Sequence, residues 1–551
     1  MSKNVIEKLH HAFNDYLITT FGINSTRAQA CEFTLNVDEA RQQFGDISSN
    51  AAMLLAKELK RAPRDLAQEI AQNFSHPYIQ KIEPAGPGFL NIFLSVEALR
   101  TLTKELAEQG IEFFKTIPAK PQHINVEFVS ANPTGPLHFG HGRGGIIGDV
   151  LSNVLRFLGN QVTAEFYIND AGSQIDKLGN AFKIRCMQVA GQDVQLPEDA
   201  YHGEYLVELA KECIKTHGAQ VLEKPDAFFA EYAKTHLLER IKYTLNKFGI
   251  TFDNYFSEKT LHEQGLITEA LEIVKKNGYL YEQDGALWLQ STAFGDDKDR
   301  VVRKASGELT YVAADIAYLK NKIDRGANRL IMTLGHDHHS YVVRLHAVQQ
   351  ALGLGQYPLD IILYQLVKIN EGGEQVRMSK RAGKMVTLDD VIDAVGSDVA
   401  RFFFLNRKAD AQLDFDLNLA LTKSEENPVY YLQYAYVRTK SILGKAAELT
   451  DLETIGPKDS QYIGQEESLL IKKMVSLKTL LVDIGQQYNT HTLTYFALEL
   501  ANLFHKYYSQ HRVIDPDNIN KSRARLLLVK EIRNTFELIL DLLELSKPDR
   551  M

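Results

Sequence analysis

His138 and His141 stand three residues apart in the stretch VEFVSANPTGPLHFGHGRGGIIG, with Gly140 between them and Gly142, Gly144 and Gly145 following. Two imidazoles on a glycine-bearing turn that opens a helix are the makings of a nucleotide phosphate site. Free amides of the first helical turn face outward, and glycines let a phosphate approach the backbone. Asn132, Pro133, Gly135 and Pro136 predict the tight turn that must lead into such a helix. A histidine pair by itself is weak evidence. The competing reading is a glycine-rich helix start packed under a neighbouring strand.

A second constellation follows about 240 residues later, at Val376-Arg377-Met378-Ser379-Lys380-Arg381-Ala382-Gly383-Lys384. Taken alone this is a solvated charge run. Beside the first motif it is a loop able to neutralise a departing pyrophosphate, with Lys380, Arg381 and Lys384 as fixed charges and Ser379 as a hydroxyl.

The elements that must position these groups are readable on either side. Ile124, Val126 and Phe128 alternate as a strand. Ile146, Ile147, Val150, Leu151, Val154, Leu155 and Leu158 then recur at helical spacing until Gly159-Asn160, and a second strand runs from Val162 to Ile168. This βαβ unit predicts a parallel sheet with ligands at the carboxyl ends of its strands. Residues 173–250 read as a polar, mostly helical insertion, after which the sheet pattern resumes at Leu287-Trp288-Leu289, Arg329 to Thr333 and Leu359 to Leu366. The expected fold class is α/β: a Rossmann-type parallel-sheet catalytic domain over 118–415 with an insertion at about 173–250. An N-terminal α+β domain (1–117) precedes it, with helical patterning from Asn50 to Asn73 and a strand over Gly88 to Leu94. A C-terminal all-α helical bundle (416–551) follows.

Length, 551 residues, suits several domains, and 44% hydrophobic with 24% charged residues is a globular balance. A net charge of −8 argues against a protein that coats nucleic acid non-specifically, though not against a local basic face. Cys31, Cys186 and Cys213 are too dispersed for a disulfide framework or a cysteine-bound zinc. Gly335-His336-Asp337-His338-His339, with His346 nearby, invites a zinc site, but its spacing does not converge on one metal, so none is expected. No apolar run approaches the roughly 18 residues of a membrane span, and the first residues carry charges where a signal peptide needs apolar ones. A cytoplasmic protein is expected.

Taken together, the H-x-G-H stretch and the M-S-K loop resemble the class I aminoacyl-tRNA synthetases, whose signatures are H-x-G-H and K-M-S-K. Further stretches narrow the likeness. DGALWLQSTAFGDDKDRVVRKASGELTYVAADIAY, MSKRAGKMVTLDD and NPVYYLQYAYVRTK look like those of the arginyl-tRNA synthetases, in the same order. The similarity runs from GDISSNAAMLLAKELK to Pro548-Asp549-Arg550-Met551, essentially the whole chain. Arg377 stands where the general motif carries its first lysine, which keeps the charge; Lys380 fills the second position.

The resemblance implies ATP-dependent ligation of L-arginine to tRNA(Arg) through an arginyl-adenylate, with release of AMP and pyrophosphate. It implies ATP as substrate with Mg²⁺ assisting, tRNA needed for activation, transfer to a 2′-hydroxyl, and a monomer. His138, His141 and Lys380 become the catalytic residues. Gly140, Gly142, His338, Met378 and Ser379 join them around ATP. A guanidinium wants carboxylates, so Asp315, four residues after Tyr311, is expected to accept from it, with Tyr311 adding a hydroxyl or ring face. Glu258, Ser130, Asn132 and His338 match further arginine contacts of the family, Ser130 having a turn hydrogen bond as its alternative role. In the helical bundle Tyr430, Tyr434 and Arg438 suit stacking on splayed anticodon bases, unless they are ordinary core or rim residues. Met551 is placed near the anticodon by likeness alone, and the N-terminal domain at the tRNA elbow. A small-molecule ligase would have little use for the tyrosine-rich bundle, and a non-catalytic RNA-binding protein little use for the two phosphate motifs.

Overall fold

A computed structural model of the protein describes residues 3–118, 120–371, 374–375, 386–450 and 452–551. Arg377, Met378, Ser379 and Lys380 lie outside the described residues. Five parallel strands form the central sheet, in the spatial order Leu359–Tyr364, Arg329–Gly335, His123–Glu127, Gln161–Ile168, Asn254–Ser257. The chain lays down strands on one side of His123–Glu127 and then crosses to its other side. That reversal leaves a crevice at the carboxyl end of His123–Glu127.

Out of that crevice rises the helix Phe139–Phe157, almost entirely buried. Its glycines serve packing. A Cβ on Gly142 would lie 2.8 Å from Leu388 and 2.9 Å from Phe404, one on Gly144 2.5 Å from the Tyr364 ring, one on Gly145 2.9 Å from Ile250, and one on Gly148 2.2 Å from Phe128. Gly142, Gly144 and Gly145 thus have the packing role that was the competing reading: they let the helix lie close to its neighbours. Gly148→Ala is expected to destabilise the protein by about 1–3 kcal/mol through overpacking against Phe128. A urea midpoint equal to that of the unaltered protein would refute this.

Leu287-Trp288-Leu289 does not join the parallel sheet. It lies in a separate antiparallel sheet of Leu280–Gln283, Ala286–Leu289 and Arg300–Arg303, closed by a tight turn at Asp284-Gly285, both at positive φ. The strand Asn254–Ser257, not expected from the sequence, forms one edge of the sheet, opposite Leu359–Tyr364. The segment after the second strand is helical, as Ser173–Val189, Glu204–His217 and Asp226–Lys247, with an apolar core of its own around Phe182, Leu206 and Phe229.

Residues 50–73 form two helices, Ala51–Leu59 and Pro63–Asn73, parted where Lys60 turns left-handed ahead of Pro63. They pack beside a four-stranded antiparallel sheet. The C-terminal part is a stack of helices, chiefly Pro428–Ala447, Ser468–Gln487, Thr492–Gln510 and Ile519–Leu543. Buried Arg401 ties it to the helices beside the sheet: it donates to Leu543 O at 2.9 Å and Phe248 O at 2.8 Å and pairs with Asp149 of the glycine-rich helix.

Candidate active site

The loop between His123–Glu127 and the glycine-rich helix is strained. Val129 and Ser130 sit at φ of 66° and 40°, a region that costs about 1–3 kcal/mol for a residue with a side chain, most for a β-branched one. The Ser130 hydroxyl donates to Glu127 Oε1 at 3.0 Å and accepts from the Tyr167 N–H at 3.1 Å, while Glu127 Oε2 accepts from buried Lys322 at 2.5 Å. Ser130 thus makes the turn bond and retains one lone pair for a further donor. Asn132, exposed on the same loop, donates to Gln174 at 3.1 Å.

His138 caps the helix. Its Nδ1 accepts from the Gly140 N–H at 3.0 Å, and Nδ1 of His141 accepts from the His138 N–H at 3.0 Å. The Phe139 N–H reaches Val386 O and the His141 N–H reaches His138 O. The opening amides of this helix are therefore occupied, which corrects the picture of free amides facing a phosphate. With both Nδ1 atoms accepting, the neutral ring of each histidine carries its proton on Nε2, and these Nε2–H groups are the donors. Burial pushes both imidazoles below their usual range; burial and the neighbouring His138 take His141 down to about 4. Both are neutral at pH 7.

Val386 and Thr387, the first described residues beyond the basic loop, are paired with this helix start. His138 and Thr387 form an antiparallel bridge, and the Leu388 N–H donates to Leu137 O at 2.9 Å. Thr387 in turn caps the helix Leu388–Val395. Val386 and Thr387 therefore lie directly beside the histidines.

Four carboxylates cluster at the other end of the crevice, and they divide cleanly. Glu127 is paired with Lys322. Buried Glu165 takes both arms of Arg325, at 2.5 and 2.9 Å, and the Tyr318 hydroxyl at 2.7 Å; although burial opposes it, these partners hold its pKa at about 2. Glu258 and Asp315 have no such partner: among the described residues neither has a lysine or arginine within ion-pair range. Glu258 is bonded to the Tyr167 hydroxyl, with His262 3.8 Å away, and Asp315 accepts from the Tyr341 hydroxyl. Burial raises both to about 7, nearby Asp170 adding to the rise at Glu258, and Glu258 and Glu127 to that at Asp315. Buried Glu258 and half-buried Asp315, both poised near neutrality and short of a cation, have the chemistry that a cation would satisfy.

Tyr311 opens the helix Tyr311–Asp324, one turn before Asp315, and is 54% exposed. With Glu258 it lines a cleft of about 1080 Å³ whose wall carries Asp170, Asp176, Glu231, Glu263 and Glu308 against Lys259, Lys304 and His262. His338 is exposed in a turn at the end of Arg329–Gly335, and the charge of adjacent Asp337 reaches His141. Tyr167, Tyr341, Lys322 and Val129 were not singled out from the sequence. Only Tyr341 carried a signal, its place on the first turn of the helix after the Gly335-His336-Asp337-His338 segment.

On the helical bundle, a groove of about 760 Å³ is lined by Tyr434, Arg438, Lys445, Tyr508, His511, Arg512 and Met551, with no acidic side chain. The Arg438 guanidinium stacks over Tyr434 at 4.6 Å and Tyr508 at 5.2 Å. Tyr430, expected beside them, is half-buried against the core and does not line the groove; buried Tyr436 donates to Glu537.

Comparison with known proteins agrees with this geometry. Residues 102–412 match the family described as tRNA synthetases class I (R), catalytic domain; residues 432–551 match the DALR anticodon binding domain, and residues 5–94 the arginyl tRNA synthetase N terminal domain. An arginine–tRNA ligase of Oceanobacillus iheyensis is 41% identical over 514 residues, 92% of each chain. One from Caldanaerobacter subterraneus subsp. tengcongensis is 39% identical across the full length of both chains. The fold is shared with the Thermus thermophilus arginyl-tRNA synthetase, with a TM-score of 0.76 at 21% identity over 99% of this chain and all of that one. A parallel sheet carrying a histidine-capped helix, an acidic pocket beside it and full-length relatives of one kind place the chain in the class I arginyl-tRNA synthetase family.

Proposed function

We propose that the protein ligates L-arginine to tRNA(Arg), using ATP and releasing AMP and pyrophosphate. Arginine's carboxylate, already ionised near pH 7, attacks the α-phosphorus; the terminal ribose hydroxyl of tRNA then displaces AMP from the arginyl-adenylate. No protein nucleophile is required, so the site acts by positioning reactants and stabilising charge. The observation that carries the reading is the pair of cation-deficient carboxylates, buried Glu258 and half-buried Asp315, beside the neutral histidine pair.

In this reading Glu258 and Asp315 take the guanidinium, and Tyr311 covers it from the cleft. The remaining Ser130 lone pair and the Asn132 side chain take the α-ammonium. The Nε2–H groups of His138 and His141 donate to the α-phosphate, and His338 borders the nucleotide. Gly140 leaves room at the helix cap, while Met378, Ser379 and Lys380 complete the phosphate end. Mg²⁺ would neutralise triphosphate charge when bound. Among the described residues no three His, Cys, Asp or Glu side chains are grouped so as to hold a metal.

We divide the chain into residues 1–117 for the tRNA elbow, 118–415 for catalysis and 416–551 for the anticodon, whose bases would stack in the groove of Tyr434, Arg438 and Met551. The enzyme works as a cytoplasmic monomer; among the described residues no helix is long and apolar enough to cross a membrane. Aminoacylation of a mixed tRNA pool is expected with arginine and not with lysine or glutamate. Charging with either of those instead would overturn the assignment.

A pH dependence follows from the two acids. In the empty site Glu258 and Asp315 titrate near pH 7, and a bound guanidinium lowers both. Arginine binding should release protons near pH 7, and its affinity should fall as pH drops below 7 and level off above about 8. Calorimetry in buffers of different ionisation enthalpy reads the proton release directly. Buffer-independent heats would contradict it.

A further inference from the structure

We propose that Arg344 and Tyr341 act as a positioning pair that presents Asp315 to the substrate as an oriented anion, fixing the pocket's demand at one positive charge. The inference rests on the arginine-pocket reading above and deepens it.

The geometry is specific. Tyr341 and Arg344 lie three residues apart on the helix His339–Ala351, so they share a face. The Arg344 guanidinium stacks 4.9 Å from the centroid of the Tyr341 ring, and the Tyr341 hydroxyl donates to Asp315 Oδ2. Arg344 has no ion-pair partner among the described residues, and its Nε is buried without a hydrogen bond. A partly buried guanidinium without a carboxylate loses solvation that no counter-ion replaces, and this one is held on an aromatic face beside a substrate acid.

Charge counting gives the arrangement its purpose. Lys322 neutralises Glu127 and Arg325 neutralises Glu165, leaving Glu258, Asp315 and Arg344. With both acids ionised the remainder is two negative charges and one positive, which matches the single charge of an arginine side chain. The groups that act on Asp315 are Tyr341 and Arg344 from one helix, Glu258 from the helix Glu258–Glu263, Glu127 from the central strand and Tyr167 from its neighbour. Of these only Arg344 is a cation, and it opposes the burial and the two acids that favour protonating Asp315. A protonated Asp315 would give up the charge that attracts a guanidinium. The Tyr341 hydroxyl, occupying one acceptor site, fixes which way the remaining ones point.

The test is the KM for arginine as a function of pH, measured in aminoacylation with tRNA and saturating ATP. It uses the full-length wild type, Arg344→Leu, Arg344→Lys and Tyr341→Phe. Arg344→Leu is expected to raise KM about tenfold at pH 7, to move the pH at which KM levels off upward by about one unit, and to leave kcat within about twofold. Arg344→Lys keeps the charge and should restore most of the pH profile. Tyr341→Phe should raise KM at every pH, and most at low pH, because the hydroxyl both orients Asp315 and helps keep it ionised. A profile for Arg344→Leu that overlays wild type, or a loss confined to kcat, would overturn the proposal. If Arg344→Leu does not fold, a wild-type pH profile for Tyr341→Phe and an equal KM overturn it in the same way. Failure of the wild type itself to charge arginine would refute the functional reading instead.

Discussion

Replacing His141 with alanine should slow arginine activation about 10²–10³-fold, the loss expected when one donor to a developing oxyanion is removed, while arginine binding changes little. The reason lies in the capping geometry. His141 spends Nδ1 on the His138 N–H, so its proton resides on Nε2, and burial keeps the ring uncharged down to about pH 4. It acts as a fixed neutral donor. The imidazole contribution should therefore be flat between pH 6 and 8, whereas a cationic role would fade as pH rose through the histidine's own pKa. Alanine also removes a helix cap, worth about 1 kcal/mol, so His141→Asn is the sharper variant: its amide oxygen can still accept from the His138 N–H, but it lacks the Nε2–H reach. His141→Asn should melt close to wild type and still be slow in single-turnover activation. Rates within threefold of wild type for both variants would remove His141 from phosphate chemistry.

Asp315→Asn carries the second large effect. It keeps shape and can still accept from Tyr341, but it takes away one of the two charges that face a guanidinium. Truncating a buried, hydrogen-bonded charge pair typically costs about 2–5 kcal/mol, so KM for arginine should rise about 10²–10³-fold. Glu258→Gln should act in the same direction. The kcat at saturating arginine should change much less, since neither acid touches the α-phosphate in the proposed chemistry. An unchanged KM would mean that the cation-deficient pocket binds something other than the arginine side chain.

How much of this was legible beforehand depends on the range of the interactions involved. The helix after His138 was readable because its apolar repeat and its stop at Gly159 are local. So were the flanking strands and the helical bundle. The packing partners of the glycines were not legible: nothing within a few residues of Gly144 or Gly148 reveals that Tyr364, about 220 residues on, or Phe128, across a turn, will press against them. Leu287-Trp288-Leu289 looked like a strand and is one, but alternation does not say which sheet a strand will join.

By itself, the sequence determined the α/β class, the motif pair, the family likeness and the residue types a cationic substrate would need, because these rest on local periodicity and on chemical identity. Only the tertiary structure decided that the first amides of the histidine helix are occupied and that its donors are the Nε2–H groups. It also decided that Tyr430 packs half-buried against the core and does not line the groove of Tyr434, and that of four neighbouring acids two are already neutralised. The physical reason is that charge is balanced in space. Glu127 meets Lys322 and Glu165 meets Arg325 across some 160–195 residues of chain, and only once those partners are in place do Glu258 and Asp315 stand out as the acids left for a substrate.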